Sequence, residues 1–320
     1  MNRPILDREK FLVTDEVPAG FIEGLGKLGF SMDHIPKLSN AELYQTAGEY
    51  TGMVVNTSLL IDKALLDQAI KLKYILRPGS GLDNIDLKYA AEKNILIFNS
   101  PEANSDAVAE HAIGMLLGLM NHIPKAFEQV KQGKWIRKPN NGVLLKGKTV
   151  GIIGYGNTGS ALAAKLSGFG VNIMAYDKYK RGFGKRKLQE VTMDVIFSEA
   201  DVVSLHIPLT NETEHLVNDA YIYNFQKPFY LLNTSRGKIV DLASVINALK
   251  SGKLAGVALD VLENENFEIY SVAEKKQLEE LSAAENVIIT PHIAGWTKES
   301  REAIFMLVLG KLKKYIYKNI

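Results

Sequence analysis

Residues 149–177, TVGIIGYGNTGSALAAKLSGFGVNIMAYD, leave this chain few folds to choose from. An apolar strand runs straight into Gly154, Gly156 and Gly159, spaced G-x-G-x-x-G. A helical stretch from about Ser160 to Phe169 follows, and a second apolar run ends at Asp177. A strand that turns at once into a helix and packs under it has no room for side chains at the turn. Gly154 allows the tight turn, Gly156 lets the backbone approach a pyrophosphate at the helix N-terminus, and Gly159 lets helix and strand pack closely. Asp177 stands about twenty residues beyond the loop, where a carboxylate accepts hydrogen bonds from an adenosine ribose diol and repels a 2′-phosphate. The motif predicts a parallel βαβ unit that binds NAD in preference to NADP. Lys178, Lys180 and Arg181 follow closely and weaken that preference.

The same alternation extends to both sides. Before the motif, KFLVTD (10–15), GMVVN (52–56), KYILRPGSG (73–81) and ILIFN (95–99) read as strands, with helices over 18–29, 62–70 and 84–94. From Thr149 onward, TVGIIG, VNIMAYD, DVVSLHIP, FYLLNTS, AGVALDV and NVIITPH make six more strands. Strands alternating with helices form parallel sheets wrapped by helices. Between the two series lies a long apolar helix over 100–122, with acidic residues in its first turns as the helix dipole favours. A basic arm, KQGKWIRKPNNGVLLKGK (131–148), follows it, and the tail from Thr297 has amphipathic helical spacing. The expected architecture is α/β: two doubly wound parallel-sheet domains hinged near residues 100 and 295. One covers 101–294 and is inserted in the other, made of 1–100 and 295–320.

Composition removes other classes. A net charge of +2 over 320 residues gives no general case for nucleic acid or an anionic membrane as partner. No apolar run reaches the ~20 residues of a membrane span, and the N-terminus, MNRPILDREKFLVTDE, lacks the apolar core of a secretory leader. The absence of cysteine removes disulfides, thiolate metal sites and a cysteine nucleophile, and fits the cytoplasm. No metal is expected.

The later strands end in chemically useful residues. LLNTSRGKIVD ends one with Asn233, Thr234, Ser235 and Arg236; VALDVLENENF ends one with Asp260, then Glu263 and Glu265. NVIITPHIAGWT starts as a buried β-branched strand and stops at Pro291, which ends strands, presenting His292. In a doubly wound sheet the carboxyl ends of the strands line the ligand crevice. Arg holds a carboxylate bidentately, His passes a proton near neutral pH, and a carboxylate beside the imidazole orients it and favours the imidazolium. Such a set suits hydride transfer next to a nicotinamide.

Seven ordered segments carry a resemblance over nearly the whole chain: RPGSGLDNID (77–86), NSDAVAEHAIGMLL (104–117), GIIGYGNTGS (151–160), HIPLTNET (206–213), NTSRGKIVD (233–241), GVALDVLENE (256–265) and PHIAG (291–295). The sequence resembles the D-isomer-specific 2-hydroxyacid dehydrogenases. The resemblance implies a Rossmann NAD-binding domain inserted in a flavodoxin-like substrate-binding domain. It also implies an NAD-dependent oxidoreductase that interconverts a small D-2-hydroxy acid and its 2-oxo acid. By the same likeness Arg236 binds the substrate carboxylate and polarises the carbonyl, His292 is the acid/base and Glu265 its partner. Ser80 and Gly81 match the turn whose backbone N–H groups bind the carboxylate, with Arg77 beside it and Asn104 and Val108 lining the cleft. The implied cofactor set is Gly154, Gly156, Asn157, Thr158, Gly159 and Asp177; His206, Ile207, Pro208 and Thr213 flanking adenosine and pyrophosphate; and Thr234, Ser235, Arg236, Asp260, His292 and Gly295 toward the nicotinamide. The apolar helix and the arm resemble the family's dimer interface, so a homodimer is expected.

Departures leave some points open. Asn266 stands where the family often has proline after the glutamate, which keeps Glu263 as a rival to Glu265. Trp296 is bulky enough to narrow the cleft. Arg77, Lys134, Arg137 and Lys138 are available to a phosphorylated substrate such as 3-phosphoglycerate. The chain leaves no room for an added regulatory domain, so feedback through one is not expected. Two other readings stand beside the main one: a non-catalytic NAD(H)-sensing protein on the same fold, and an NADP-preferring glyoxylate or hydroxypyruvate reductase.

Overall fold

Two parallel sheets organise the protein in a computed structural model that describes residues 9–318. The first part of the N-terminal stretch read as lacking a leader, residues 1–8, lies outside the described residues. Contacts divide the chain into two compact units, residues 1–104 with 296–320, and residues 105–295.

The smaller unit carries β1 (Lys10–Val13), β2 (Ser31–His34), β3 (Gly52–Val54), β4 (Tyr74–Arg77) and β5 (Leu96–Asn99), ordered β2-β1-β3-β4-β5. This is the flavodoxin-like order. Alternation along each strand builds two cores. Phe11, Val13, Val54 and Leu76 face one side, where Phe21 and Leu25 of the helix Ala19–Lys27 meet Phe305, Val308 and Leu312 of the C-terminal helix Lys298–Lys318. Leu12, Met53 and Ile75 face the other, against Leu43, Leu65 and Leu66. Neither β2 nor the helix Asn40–Thr46 is among the elements expected from the sequence. SMDH has no apolar run because β2 is an edge strand with no fully buried residue. The helix begins with a capping box between Ser39 and Glu42.

The larger unit carries β6 (Thr149–Ile153), β7 (Asn172–Tyr176), β8 (Leu188–Glu190), β9 (Val202–Leu205), β10 (Phe229–Asn233), β11 (Leu254–Leu259) and β12 (Val287–Ile289). Their order is β12-β11-β10-β9-β6-β7-β8, so the winding reverses between β6 and β9. All six expected strands are present; β8 is a three-residue edge addition. The expectation of a fully buried strand before His292 needs correction. Val287, Ile288 and Ile289 are only half-buried, because β12 is the other edge and pairs with β11 alone.

The register sets up the site. Tyr176, Ile153, Leu205, Asn233, Leu259 and Ile289 stand side by side across the sheet. The residues that follow them, Asp177, Gly154, His206, Thr234, Asp260 and Thr290, therefore emerge along one rim. The long helix covers Ser105–Met120, shorter than the expected 100–122, and packs Ala112, Leu116 and Leu119 onto the sheet. A second helix, Ile123–Lys131, follows with no buried residue. Among the described residues no helix is long and apolar enough to cross a membrane.

Candidate active site

The three loop glycines answer different demands, two of them steric. Gly154 has φ +93°, and a side chain there would run into the His206 carbonyl; one at Gly159 would run into the Gly154 carbonyl. Around Gly156 a side chain would meet nothing. Gly156 caps the helix Asn157–Leu166 without any side-chain hydrogen bond to its first N–H groups, which leaves a helix N-terminus suited to phosphate. The hydroxyl of Thr234, on the same rim, is buried without a hydrogen-bond partner. Open space at Gly156, an uncapped helix end and an orphaned hydroxyl are what a bound dinucleotide would use, so the residues fit NAD.

These glycines should separate by experiment. Gly159→Ala forces overpacking and should lower Tm through a loss of about 1–3 kcal/mol. Gly156→Ala should leave Tm unchanged or slightly raised and weaken NADH binding about tenfold or more, because it fills only the ligand's space. Thermal melts and NADH fluorescence titrations read both; a stability loss in Gly156→Ala equal to that in Gly159→Ala would contradict the assignment.

Asp177 accepts from the N–H groups of Tyr155 (2.8 Å), Tyr179 (2.9 Å) and Lys180 (2.9 Å). Partial burial pushes its carboxyl up, but the N–H donors of Tyr179, Tyr155 and Lys180 and the Lys180 charge outweigh that and hold it below the usual range. It is an anion at the loop. The basic residues after it have partners of their own: Lys178 pairs with Glu212 at 2.5 Å, Lys180 donates to the Tyr155 carbonyl at 3.0 Å, and Arg181 donates to the Lys180 carbonyl at 2.7 Å. Thr213 donates to the Pro208 carbonyl at 2.7 Å and folds the segment after β9 on itself. Ile207 packs on the core beneath.

His206 is buried and joins β9 to the glycine loop. Its Nε2 is 2.8 Å from the Ser204 hydroxyl and its Nδ1 3.1 Å from that of Thr158. Burial pushes its pKa down to about 4, so it is a neutral strut and not an acid/base. Below the unfolded value of about 6.5 the unfolded chain takes up a proton that the folded chain refuses. Stability should therefore fall by an amount on the order of 3 kcal/mol as pH drops from 6.5 through 4. A His206→Asn variant, less stable at pH 7, should show a shallower fall of Tm over that range; an equally steep one would contradict the assignment.

At the far end of the rim the structure brings His292 and Glu265 together, Nδ1 to Oε2 at 2.9 Å, with both side chains 46% exposed. An ionised carboxylate only accepts, so Nδ1 carries the proton and Nε2 is left for a substrate. Glu263 is engaged elsewhere: Oε2 lies 2.9 Å from His215 Nε2, and Oε1 accepts from the Leu242 N–H at 2.9 Å. His292 has φ +55°, a left-handed conformation costing about 1–3 kcal/mol that persists only where its surroundings impose it. Asp260 imposes it. Its carbonyl accepts the His292 N–H at 2.7 Å, and its carboxylate, 1% exposed, accepts the N–H groups of Ile293 (2.9 Å) and Ala294 (2.8 Å). The Asp260 carboxylate thus fastens the histidine turn. Gly295 ends that turn half-buried.

Arg236 leaves the end of β10 on a fixed root. Asn233 Nδ2 donates to its carbonyl at 2.9 Å, its Nη1 donates to the Ser235 carbonyl at 2.7 Å, and the Ser235 hydroxyl donates to the Leu205 carbonyl. Gly237 lies so close under the Leu262 carbonyl that no side chain fits there.

In the smaller unit Ser80 donates to Asn104 Oδ1 at 2.9 Å, and the Ser80 carbonyl accepts from Asn99 Nδ2 at 3.0 Å. Gly79 exchanges hydrogen bonds with Ser100, fixing the turn that also contains Gly81. Arg77 is buried and its guanidinium folds back on the Pro78 carbonyl, so its placement lends no support to a phosphate contact. Val108 is buried in its helix. Lys134, Arg137, Lys138 and Trp296 are exposed. His111, Thr290 and His215 were not singled out by sequence reasoning for the roles seen here. No spacing signals them, because their partners lie on other elements.

A doubly wound sheet with an uncapped glycine turn at its reversal defines a dinucleotide-binding α/β protein. The comparisons narrow this further. Residues 113–294 match the family model described as the D-isomer specific 2-hydroxyacid dehydrogenase, NAD binding domain. The chain is 34% identical over 310 residues, 96% of its length, to the D-3-phosphoglycerate dehydrogenase of Methanocaldococcus jannaschii, covering 57% of that protein. It is 34% identical over 288 residues to the hydroxypyruvate reductase of Thermotoga maritima, covering 90% of this chain and 91% of that one. Among solved structures, the D-lactate dehydrogenase of Aquifex aeolicus, complexed with NAD and lactic acid, superposes with a TM-score of 0.83 at 30% identity, covering 97% of this chain and 96% of the other. The chain belongs to the D-isomer-specific 2-hydroxyacid dehydrogenase family, and its larger unit is that family's NAD-binding domain. The resemblance read from the seven segments and the α/β architecture are both borne out. The chain spans about half the length, 49–57%, of phosphoglycerate dehydrogenases that it matches.

Proposed function

We propose that the protein is an NAD-dependent oxidoreductase that interconverts a small D-2-hydroxy acid and its 2-oxo acid. The observation that carries the reading is His292, held left-handed at the strand-end rim with Nδ1 on Glu265 and Nε2 open. NAD, when bound, supplies or accepts the hydride. Arg236 holds the substrate carboxylate and stabilises charge on the carbonyl oxygen. His292 gives a proton from Nε2 in reduction and takes one in oxidation, while Glu265 keeps the ring oriented. Ser80 and Gly81 offer backbone N–H groups to the carboxylate, on a turn fixed by Asn99, Ser100 and Asn104. Asp177 accepts the ribose diol, which favours NAD over NADP. The intact Arg236, Glu265 and His292 argue against a purely NAD(H)-sensing role.

The relatives that match over most of their own length are named hydroxypyruvate and glyoxylate reductases. That favours an unphosphorylated acid, as does the buried Arg77. The reading also places the enzyme in the cytoplasm, which the lack of cysteine suits, as a homodimer. Ile123, Phe127, Val130, Trp135 and Leu144 of the helix Ile123–Lys131 and the arm are exposed apolar residues that a second copy would cover; a single-chain mass in sedimentation would refute the dimer. The deciding experiment assays 2-oxo acids, with and without phosphate, against NADH and NADPH. Turnover of none of them would sink the enzyme reading, and equal efficiency with NADPH would sink the role of Asp177.

A further inference from the structure

A chain of hydrogen bonds runs behind the histidine turn. His111, on the helix Ser105–Met120, places Nε2 3.0 Å from the Thr290 hydroxyl and 3.6 Å from Asp260 Oδ1. Thr290 Oγ1 lies 2.6 Å from the same Oδ1. The directions follow from proton counts. An ionised carboxylate has no proton, so the single hydroxyl proton of Thr290 goes to Asp260. The oxygen of Thr290 must then accept, and His111 must donate from Nε2. Asp260 Oδ1 also receives the Ile293 N–H, Oδ2 receives the Ala294 N–H, and the Asp260 carbonyl receives the N–H of His292 itself. The two contacts that fasten the turn just after His292, at the Ile293 and Ala294 N–H groups, thus pass through a carboxylate whose orientation is set by Thr290 and His111.

We propose that His111 and Thr290 are positioning residues for the acid/base. They aim Asp260, and through it hold the turn that presents His292 to Glu265. The proposal rests on the reading of His292 as the proton donor. Without the Thr290 hydroxyl, Oδ1 loses a donor and His111 Nε2–H loses its acceptor. The carboxylate can then rotate away from the two N–H groups, and His292 can relax to negative φ, where its ring no longer meets Glu265. Linked hydrogen bonds around a buried charge polarise one another, so the effect should exceed that of a surface contact.

The test uses two pairs of variants in the full chain. Thr290→Val keeps the shape and removes the hydroxyl, while Thr290→Ser keeps the hydroxyl. His111→Leu removes the donor, while His111→Gln retains an N–H near the Nε2 position. Thr290→Val and His111→Leu should lower kcat for 2-oxo acid reduction about 10- to 100-fold with NADH affinity within about twofold, the size of a lost hydrogen bond to a charged group. Thr290→Ser and His111→Gln should recover kcat to within about threefold of the parent. The His292 Nδ1 nitrogen resonance, read through the ring protons without substrate, should move in the first two variants as it does in Glu265→Gln, and stay in place in the second two. Unchanged kcat and resonance in Thr290→Val, or equal losses in Thr290→Val and Thr290→Ser, would overturn the proposal. An inactive parent would refute the functional reading instead, and the nitrogen resonance would still decide the positioning.

Discussion

His292→Ala should reduce kcat for a 2-oxo acid roughly 10²- to 10⁴-fold, the range for loss of a positioned acid/base, while NADH still binds. The geometry explains the split. Nδ1 is committed to Glu265 at 2.9 Å, so in the proposed mechanism Nε2 is the atom that gives the proton, and no backbone contact of the glycine loop depends on it. Glu265→Gln keeps the size of the side chain and replaces the carboxylate acceptor of Nδ1 by a weaker amide one, so kcat should drop as the ring loses its orienting partner. Glu263→Gln should leave kcat in place, because that carboxylate serves His215 and the Leu242 N–H. The measurement is kcat and kcat/KM in both directions for parent and variants. A kcat that falls in Glu263→Gln and not in Glu265→Gln, or a His292→Ala enzyme with normal kcat, would refute the mechanism.

What was legible in the sequence was local or steric. The three glycines are read from spacing because each answers a nearby backbone collision or a ligand's approach, within the reach of one strand–turn–helix. Apolar runs gave the interior strands β1, β3, β4, β6, β9, β10 and β11 for the same reason: both faces are covered, so nearly every residue is apolar. The edges escaped. SMDH in β2 and the three residues of β8 carry no such run, because an edge strand with little burial needs none. The site was legible as a set of residue types at strand ends, but not as a geometry. Glu263 and Glu265 differ by two residues in an acidic segment. Only the folded path of the loop places one on His215 and the other on His292. Nor does the local sequence P-H-I announce a left-handed histidine; that strain is imposed by Asp260, thirty-two positions earlier in the chain. Nor does spacing announce that the Asp260 carboxylate accepts from Thr290, Ile293 and Ala294.

Arg236→Lys tests the other half of the site, and kcat/KM for the 2-oxo acid should fall about 10²-fold or more, with NADH affinity within about threefold. The charge survives this change and the shape does not. A guanidinium presents parallel N–H groups that meet both oxygens of a carboxylate or one oxygen and a neighbouring carbonyl; an ammonium is a point charge on a flexible stem. The root of the side chain should not move in the variant. The Arg236 carbonyl is held by Asn233, and Gly237 is wedged beneath the Leu262 carbonyl, and neither contact uses the side chain. A loss of activity would therefore report the missing fork and not a displaced loop. Substrate structure supplies the control. If Arg236 holds the carboxylate, replacing the 2-oxo acid by its amide should cost the parent much of its kcat/KM and cost Arg236→Lys far less, because the variant has already lost the interaction. A variant that reduces the acid normally, or one that penalises the amide as heavily as the parent does, would show that Arg236 is structural and that the carboxylate is bound elsewhere.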